Sequence, residues 1–227
     1  MPTPIRTALL DLIATHSFRL GDFTLASGQR SDYYIDCRTT TLHAEGGRLA
    51  GILFYDLIRQ YMPTAVAVGG LTMGADPLVS NTASASAWAL AEYVETLEIS
   101  AELELDGDDD PGLPPALIHG FLVRKAEKQH GTGRRIEGFL QPGASVVIVD
   151  DVCTTGGSTI TAIETTREAG MTVAGVLCLV DREQGGRLNI ERALAEVPPN
   201  DDSDSVIPFH SVFTAADVRR AHLALKS

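Results

Sequence analysis

Two adjacent acids, Asp150 and Asp151, stand between a β-branched run (Val146, Val147, Ile148, Val149) and a turn of Thr154, Thr155, Gly156, Gly157, Ser158 and Thr159. The run suits a strand buried on both faces of a parallel sheet. From Ile160 to Ala169 the chain is helix-compatible, and Gly170 supplies a C-cap. The first backbone N–H groups of a helix have no intrahelical partner, and the helix dipole adds roughly half a positive charge there. Two glycines let the backbone close round an oxyanion, and the hydroxyls add donors. A phosphate fits such a turn. The acids would repel it, so they must face something else, and vicinal sugar hydroxyls or a hydrated divalent cation suit carboxylates. The pattern describes a sugar with a terminal phosphate, its ring over the acids. The plainer alternative is a strand–helix turn with solvated acids. No Gly-Lys-Ser/Thr closes the turn, so it is not a P-loop.

Arg124, Lys125, Lys128, His130, Arg134 and Arg135 form the one dense basic cluster of a chain with net charge −12. Gly131 and Gly133 predict a mobile loop that closes over a highly anionic ligand, and a solvated basic face is the alternative. Arg182 follows a strand-like run, Thr172 to Val180. In an open parallel sheet ligands bind at that strand edge, and a guanidinium fork suits a carboxylate or a urea-like edge. A surface ion pair with Glu183 would be its structural use. Gly69 and Gly70 with Thr72 and Gly74 make either a second anion cradle or a tight turn. Tyr33 and Tyr34 are either core or the wall of a flat aromatic ligand. Cys153 reads as a small buried filler.

The elements that must position these groups follow from periodicity. Helices are expected over Ile5–His16, His43–Tyr61, Leu78–Tyr93, Leu188–Ala195 and Thr214–Leu225, and strands over Tyr33–Asp36, Ala65–Val68, Leu117–Val123 and within 206–213. Glu95 to Pro115 is an acidic, proline-bearing insertion. Pro111 stands where a calcium loop needs glycine, so solvation is the better reading. Glu98, Glu102 and Glu104 alternate with Ile99, Leu103 and Leu105, which predicts a short edge hairpin at its base. A chain of 227 residues, 44% hydrophobic, favours one domain with a sizeable core. Its acidity argues against nucleic acid or an anionic membrane as partner. No apolar run approaches the ~20 residues that span a bilayer, and no signal peptide is expected at the N-terminus. Cys37, Cys153 and Cys178 are an odd set without a Cys-x-x-Cys pair, which excludes a disulfide framework or zinc site and fits a reducing cytoplasm.

The strand, acid pair, threonine-rich turn and helix resemble the phosphoribosyl-diphosphate signature of the type I phosphoribosyltransferases. Taken in order, Phe23-Thr24-Leu25 with Ser27-Gly28, the Gly69-Gly70 loop, Arg124-Lys125-x-x-Lys128-x-His130-Gly131, the Asp150-Asp151 loop and Asp181-Arg182 are similar to the orotate branch of that family. The resemblance covers nearly the whole chain. It implies the α/β fold of the family, a central mainly parallel sheet flanked by helices, as one domain. Within it lie a small N-terminal hood (about 1–40), the acidic insertion (about 95–115) and the mobile basic loop (about 124–138). It implies transfer of a phosphoribosyl group from 5-phosphoribosyl 1-diphosphate to orotate with inversion at C1, in pyrimidine synthesis. Magnesium is implied too, carried mainly by the diphosphate and water rather than by a metal site of the protein. So is a homodimer that shares the basic loop across its interface.

By that likeness Val152, Cys153, Thr154, Thr155, Gly156, Gly157 and Ser158 bind the sugar phosphate, and Asp150 and Asp151 face the ribose hydroxyls. Arg124, Lys125, Lys128 and His130 hold the diphosphate, with His130 as proton donor to the leaving oxygen. Tyr34, Thr154 and Arg182 bind orotate. Some relatives carry lysines where this chain has Ala26 and Met73, so neutralisation of the diphosphate must rest more on the 124–135 loop and magnesium. The competing readings are a transferase of this fold for another base and a regulator that senses phosphoribosyl diphosphate.

Overall fold

A computed structural model of the chain describes residues 3–24, 30–102, 114–125, 135–196 and 207–226. Helix α1 (Pro4–Leu12) begins where the Thr3 hydroxyl accepts from the Arg6 amide, and it runs on into one π turn, Ile13–Ser17. Strands β1 (Phe18–Thr24) and β2 (Arg30–Ile35) form a separate antiparallel ribbon. Helices α2 (Arg38–Thr41) and α3 (Ala44–Tyr61) lead to β3 (Ala67–Leu71). The chain continues through α4 (Asp76–Glu102), β4 (His119–Val123), β5 (Ile136–Gly138), β6 (Ser145–Cys153), α5 (Gly157–Glu168), β7 (Thr172–Asp181), α6 (Gly186–Ala195), β8 (Phe209–Thr214) and α7 (Ala215–Ala224). A Thr214–Asp217 capping box starts α7.

Six strands form the main sheet in the order β5-β4-β3-β6-β7-β8, parallel throughout except for β5. The β-branched run is buried on both faces. Val147 and Val149 belong to the core beneath α1, α3 and α7, while Val146 and Ile148 belong to the core that includes Ile163 of α5 and Ile190 of α6. From β3 the chain steps outward to β4, whereas from β6 it steps the other way to β7. The carboxyl ends of β3 and β6 therefore flank a topological switch point, where an open α/β sheet leaves a crevice for ligand.

Four local expectations are corrected. Residues 95–102 are the end of α4, not the base of a hairpin. Glu95, Glu98, Ile99 and Glu102 also recur at three- and four-residue intervals, and with no Gly or Pro among them the helical period prevails over the apparent alternation. Gly69 and Gly70 lie inside β3 rather than in a loop. The segment after Arg135 returns as β5, paired antiparallel with β4, and Arg124 N–H donates to the Arg135 carbonyl at 2.9 Å. The basic loop thus ends at about 135 and not 138. Finally, β6 continues through the acid pair to Cys153, because Asp150, Val152 and Cys153 keep their register with Cys178, Val180 and Asp181 of β7.

Candidate active site

The strand ends at the switch point surround a cavity of about 610 Å³. Its lining comes from five places: Tyr34 to Asp36 and Arg38 at and beyond the end of β2, Leu71 to Gly74 at and beyond the end of β3, Arg124 and Lys125 after β4, Asp150 to Val152 of β6, and Ser158 of α5. Between β6 and α5, Gly156 takes φ +83°, a left-handed conformation that a residue with a Cβ adopts at a cost. It is the N-cap residue of α5 and offers no side chain to cap it, so the first amides of that helix are left for a ligand. Gly157 and Ser158 are exposed there. Gly74 lies so close to the acid pair that a Cβ would stand 2.4 Å from Asp151 Oδ1. Thr72 to Gly74 line the cavity beside Asp151, so this part of the second candidate cradle is brought to the site.

The two acids are held differently. Asp150 is buried: Thr159 Oγ1 donates to its Oδ2 at 2.6 Å and the Asp151 N–H to its Oδ1 at 3.0 Å. Burial, with the neighbouring Asp151 charge adding to it, pushes the Asp150 carboxyl up to about 7. Asp151 accepts the Val152 N–H at 2.9 Å through Oδ1 and is only partly covered. Burial raises it as well, opposed by that N–H and by the Arg38 charge. Both carboxyls are thus raised by burial, Asp150 the more deeply covered of the two.

Arg182 is almost wholly buried at the carboxyl end of β7. Its backbone N–H donates to the Cys153 carbonyl at 2.9 Å, and its guanidinium lies 4.9 Å over the Tyr33 ring. Nη2 donates to Ser31 Oγ at 3.4 Å, and Nε has no partner. Among the described residues it forms no ion pair with Glu183, so the surface-pair alternative is set aside. It stands behind the hairpin ribbon and does not line the 610 Å³ cavity. Tyr33 stacks on Phe18 and belongs to the core edge, whereas Tyr34 is 41% exposed and lines the cavity.

Thr154 is half-buried and Thr155 exposed; neither lines the cavity, and the Thr155 carbonyl accepts from Asn189. Cys153 is buried filler, as expected, and Val152 lines the wall. Arg124 lines the cavity with its guanidinium 3.4 Å from Glu137, and Lys125 is exposed beside it. Lys128, His130 and Arg134 lie outside the described residues, as does Ala26.

Three contributors escaped sequence reasoning: Asp36, Arg38 and the Thr159 hydroxyl. Thr159 was legible only as one more hydroxyl of the turn. Asp36 and Arg38 carried a weak signal, an acid and an arginine two apart just beyond a strand. The donor set of the cavity fits a magnesium ion whose shell is mostly phosphate oxygen and water. Asp36, Asp150 and Asp151 offer hard oxygens, and among the described residues no three His, Cys, Asp or Glu side chains converge to hold an ion unaided.

Residues 121–207 match the phosphoribosyl transferase domain family. Orotate phosphoribosyltransferase of Aquifex aeolicus is 40% identical over 190 residues, covering 82% of this chain and 89% of its own. That of Thermosynechococcus vestitus is 43% identical, covering 80% and 82%. The crystal structure of Mycobacterium tuberculosis H37Rv orotate phosphoribosyltransferase in complex with Fe(III) dicitrate superposes with a TM-score of 0.68 at 32% identity, covering 95% of this chain and 99% of that one. At 40% and 43% identity over about four fifths of its length, the chain belongs to the orotate phosphoribosyltransferase family.

Proposed function

We infer that this chain transfers the 5-phosphoribosyl group from 5-phosphoribosyl 1-diphosphate to orotate, giving orotidine 5′-monophosphate and pyrophosphate in pyrimidine biosynthesis. The observation that carries this reading is the placement of the uncapped α5 N-terminus beside the buried acid pair on the floor of one cavity. The α5 amides hold the 5-phosphate, and Asp150 and Asp151 take the ribose hydroxyls. As the C1–O bond breaks, positive charge grows on the ribose and negative charge on the departing pyrophosphate. The ionised acids favour the first; Arg124, Lys125, Lys128 and His130 favour the second. Magnesium, when bound, would neutralise part of the diphosphate charge, and Asp36, Asp150 and Asp151 are the cavity carboxylates that would hold its water shell. Orotate forms the new bond at C1 from the face opposite the leaving group, held by Tyr34, Thr154 and the Arg182 fork.

Mixing the protein with orotate, phosphoribosyl diphosphate and magnesium tests the reaction. Orotate absorbance should fall as pyrophosphate accumulates. Consumption of uracil or adenine in place of orotate would assign another base.

Lys128→Ala is expected to lower kcat by about 10²-fold, the scale for losing one well-placed charge donor. Near-normal steady-state turnover would remove Lys128 from the site. The same variant tests a homodimer whose basic segment reaches the neighbouring subunit. Mixed with an Asp150→Asn variant, it should regain activity as subunits exchange, because one site of the mixed dimer is then intact. No helix among the described residues is long and apolar enough to cross a membrane.

A further inference from the structure

We propose that Arg38 is a diphosphate-binding residue, a fixed cation on the cavity wall that leaves Asp36 to grip the leaving group. This deepens the reading above and rests on its placement of the substrate. The three cavity-lining cations among the described residues are Arg38, Arg124 and Lys125. Arg124 is engaged with Glu137 and, like Lys125, enters from the end of β4. Arg38 enters from another element, just after β2, and shares the wall of a neighbouring cavity with Met73. With the 5-phosphate at α5 and the ribose over β6, the diphosphate must extend across the end of β3. There the lining is Leu71 to Gly74, a stretch with no charge of its own. Arg38 is the charged side chain able to serve that stretch from the β2 side.

The arginine is held in readiness. Nε donates to Asp36 Oδ1 and Nη2 to Oδ2, both at 2.8 Å, while the Arg38 backbone N–H holds the same Oδ1 at 3.1 Å. A guanidinium has five N–H donors, and this fork engages two of them, so phosphate oxygens can be met before Asp36 is released. Space lies on both sides: Arg38 and Met73 line the main cavity and also a neighbouring one of about 410 Å³. The side chain is 44% exposed and can turn without displacing core. An exposed Asp–Arg fork contributes little to stability, so exchanging it for a diphosphate costs the fold little.

The test compares Arg38→Met, Arg38→Lys and wild type in both directions of the reaction. Arg38→Met should raise KM for phosphoribosyl diphosphate, and KM for pyrophosphate in the reverse reaction, by about 10-fold or more. KM for orotate at saturating diphosphate should move less than about 2-fold, and the melting temperature should barely change. Arg38→Lys should recover part of the loss, since charge survives without the fork. Unchanged KM for both diphosphate ligands would overturn the proposal. So would a lower kcat with its acid limb displaced to higher pH and KM unaltered, because that outcome makes Arg38 a positioning residue for Asp151. An Asp151→Asn control separates the two levels. If it is inactive while Arg38→Met is normal, only the role of Arg38 fails. If both are fully active, the placement of the substrate itself is wrong.

Discussion

Replacing Asp150 with Asn should lower kcat by about 10³-fold and, at pH 8, should make the empty protein more stable. The two effects have one cause. Asp150 is buried, and burial with the Asp151 charge raises its carboxyl to about 7, above the 3.8 expected of an unfolded chain. Between those values the native state holds a proton that the unfolded state has lost. The associated stability is present in full below about pH 4 and disappears as pH rises through about 7. At pH 8 the native protein carries an ionised carboxylate in a poorly solvated place. A shift of this size corresponds to an upper bound of about 4 kcal/mol, and even a quarter of that moves the melting temperature by about 2–4 °C in a chain of this length. Asn keeps the hydrogen-bond pattern: its carbonyl accepts the Asp151 N–H, and the Thr159 hydroxyl can turn to accept from its amide. The variant should therefore melt above wild type at pH 8 and lose that advantage at pH 4. Catalysis is expected to go the other way, since on the proposed placement of the substrate the same charge would stabilise the ribose cation. In wild type, kcat/KM for phosphoribosyl diphosphate should fall as pH drops below about 7. A melting difference that does not depend on pH, or turnover within a few-fold of wild type, would detach Asp150 from this role.

The same residues show what was legible in the sequence. A run of β-branched side chains between polar turns has one comfortable home, a strand covered on both faces, and the site turn follows it directly. That made the turn beside the acid pair readable, though not which of its two glycines takes the left-handed conformation seen at Gly156. Arg182 was readable by position, at the carboxyl end of a strand, although it does not line the cavity. The opposite wall was not. β1 and β5 are edge strands whose pairing depends on partners distant or short in sequence: β1 exposes most of its side chains, and β5 is three residues long. Their existence is a tertiary fact. The cavity residues they help to place, Arg38 and Arg124 with its Glu137 partner on β5, were accordingly seen as local features or missed. The helical end of α4 failed for another reason, because Glu and Leu or Ile at short intervals satisfy two periods at once and only neighbouring turns decide between them.

Arg182→Met should lower kcat/KM for orotate by about 10³-fold, leave KM for phosphoribosyl diphosphate within a few-fold, and raise the melting temperature slightly. Arg182 is 7% exposed, its Nε is unsatisfied, and among the described residues no carboxylate pairs with it. Among those residues its guanidinium meets the Tyr33 ring and makes one long bond to Ser31 Oγ. A buried cation so poorly matched is a cost to the empty fold, which a thioether of similar reach does not carry. Such a cost persists where a ligand repays it. Orotate brings a carboxylate and an imide edge, both suited to a planar fork, and a charge-assisted pair formed in a dry place is worth several kcal/mol to the bound state. Removing the fork then withdraws base binding without touching the phosphate turn, 5-phosphate contacts or acid pair. The base pocket would have to open toward Arg182 past the ribbon residues Ser31 and Tyr33, which places orotate beneath β2 and next to Tyr34. Tyr34→Ala supplies the independent arm, since loss of a stacking wall should raise KM for orotate about 10-fold without altering stability. If Arg182→Met instead destabilises the protein and harms both substrates alike, its charge serves the ribbon rather than the base, and the specificity for orotate must be sought elsewhere in the cavity.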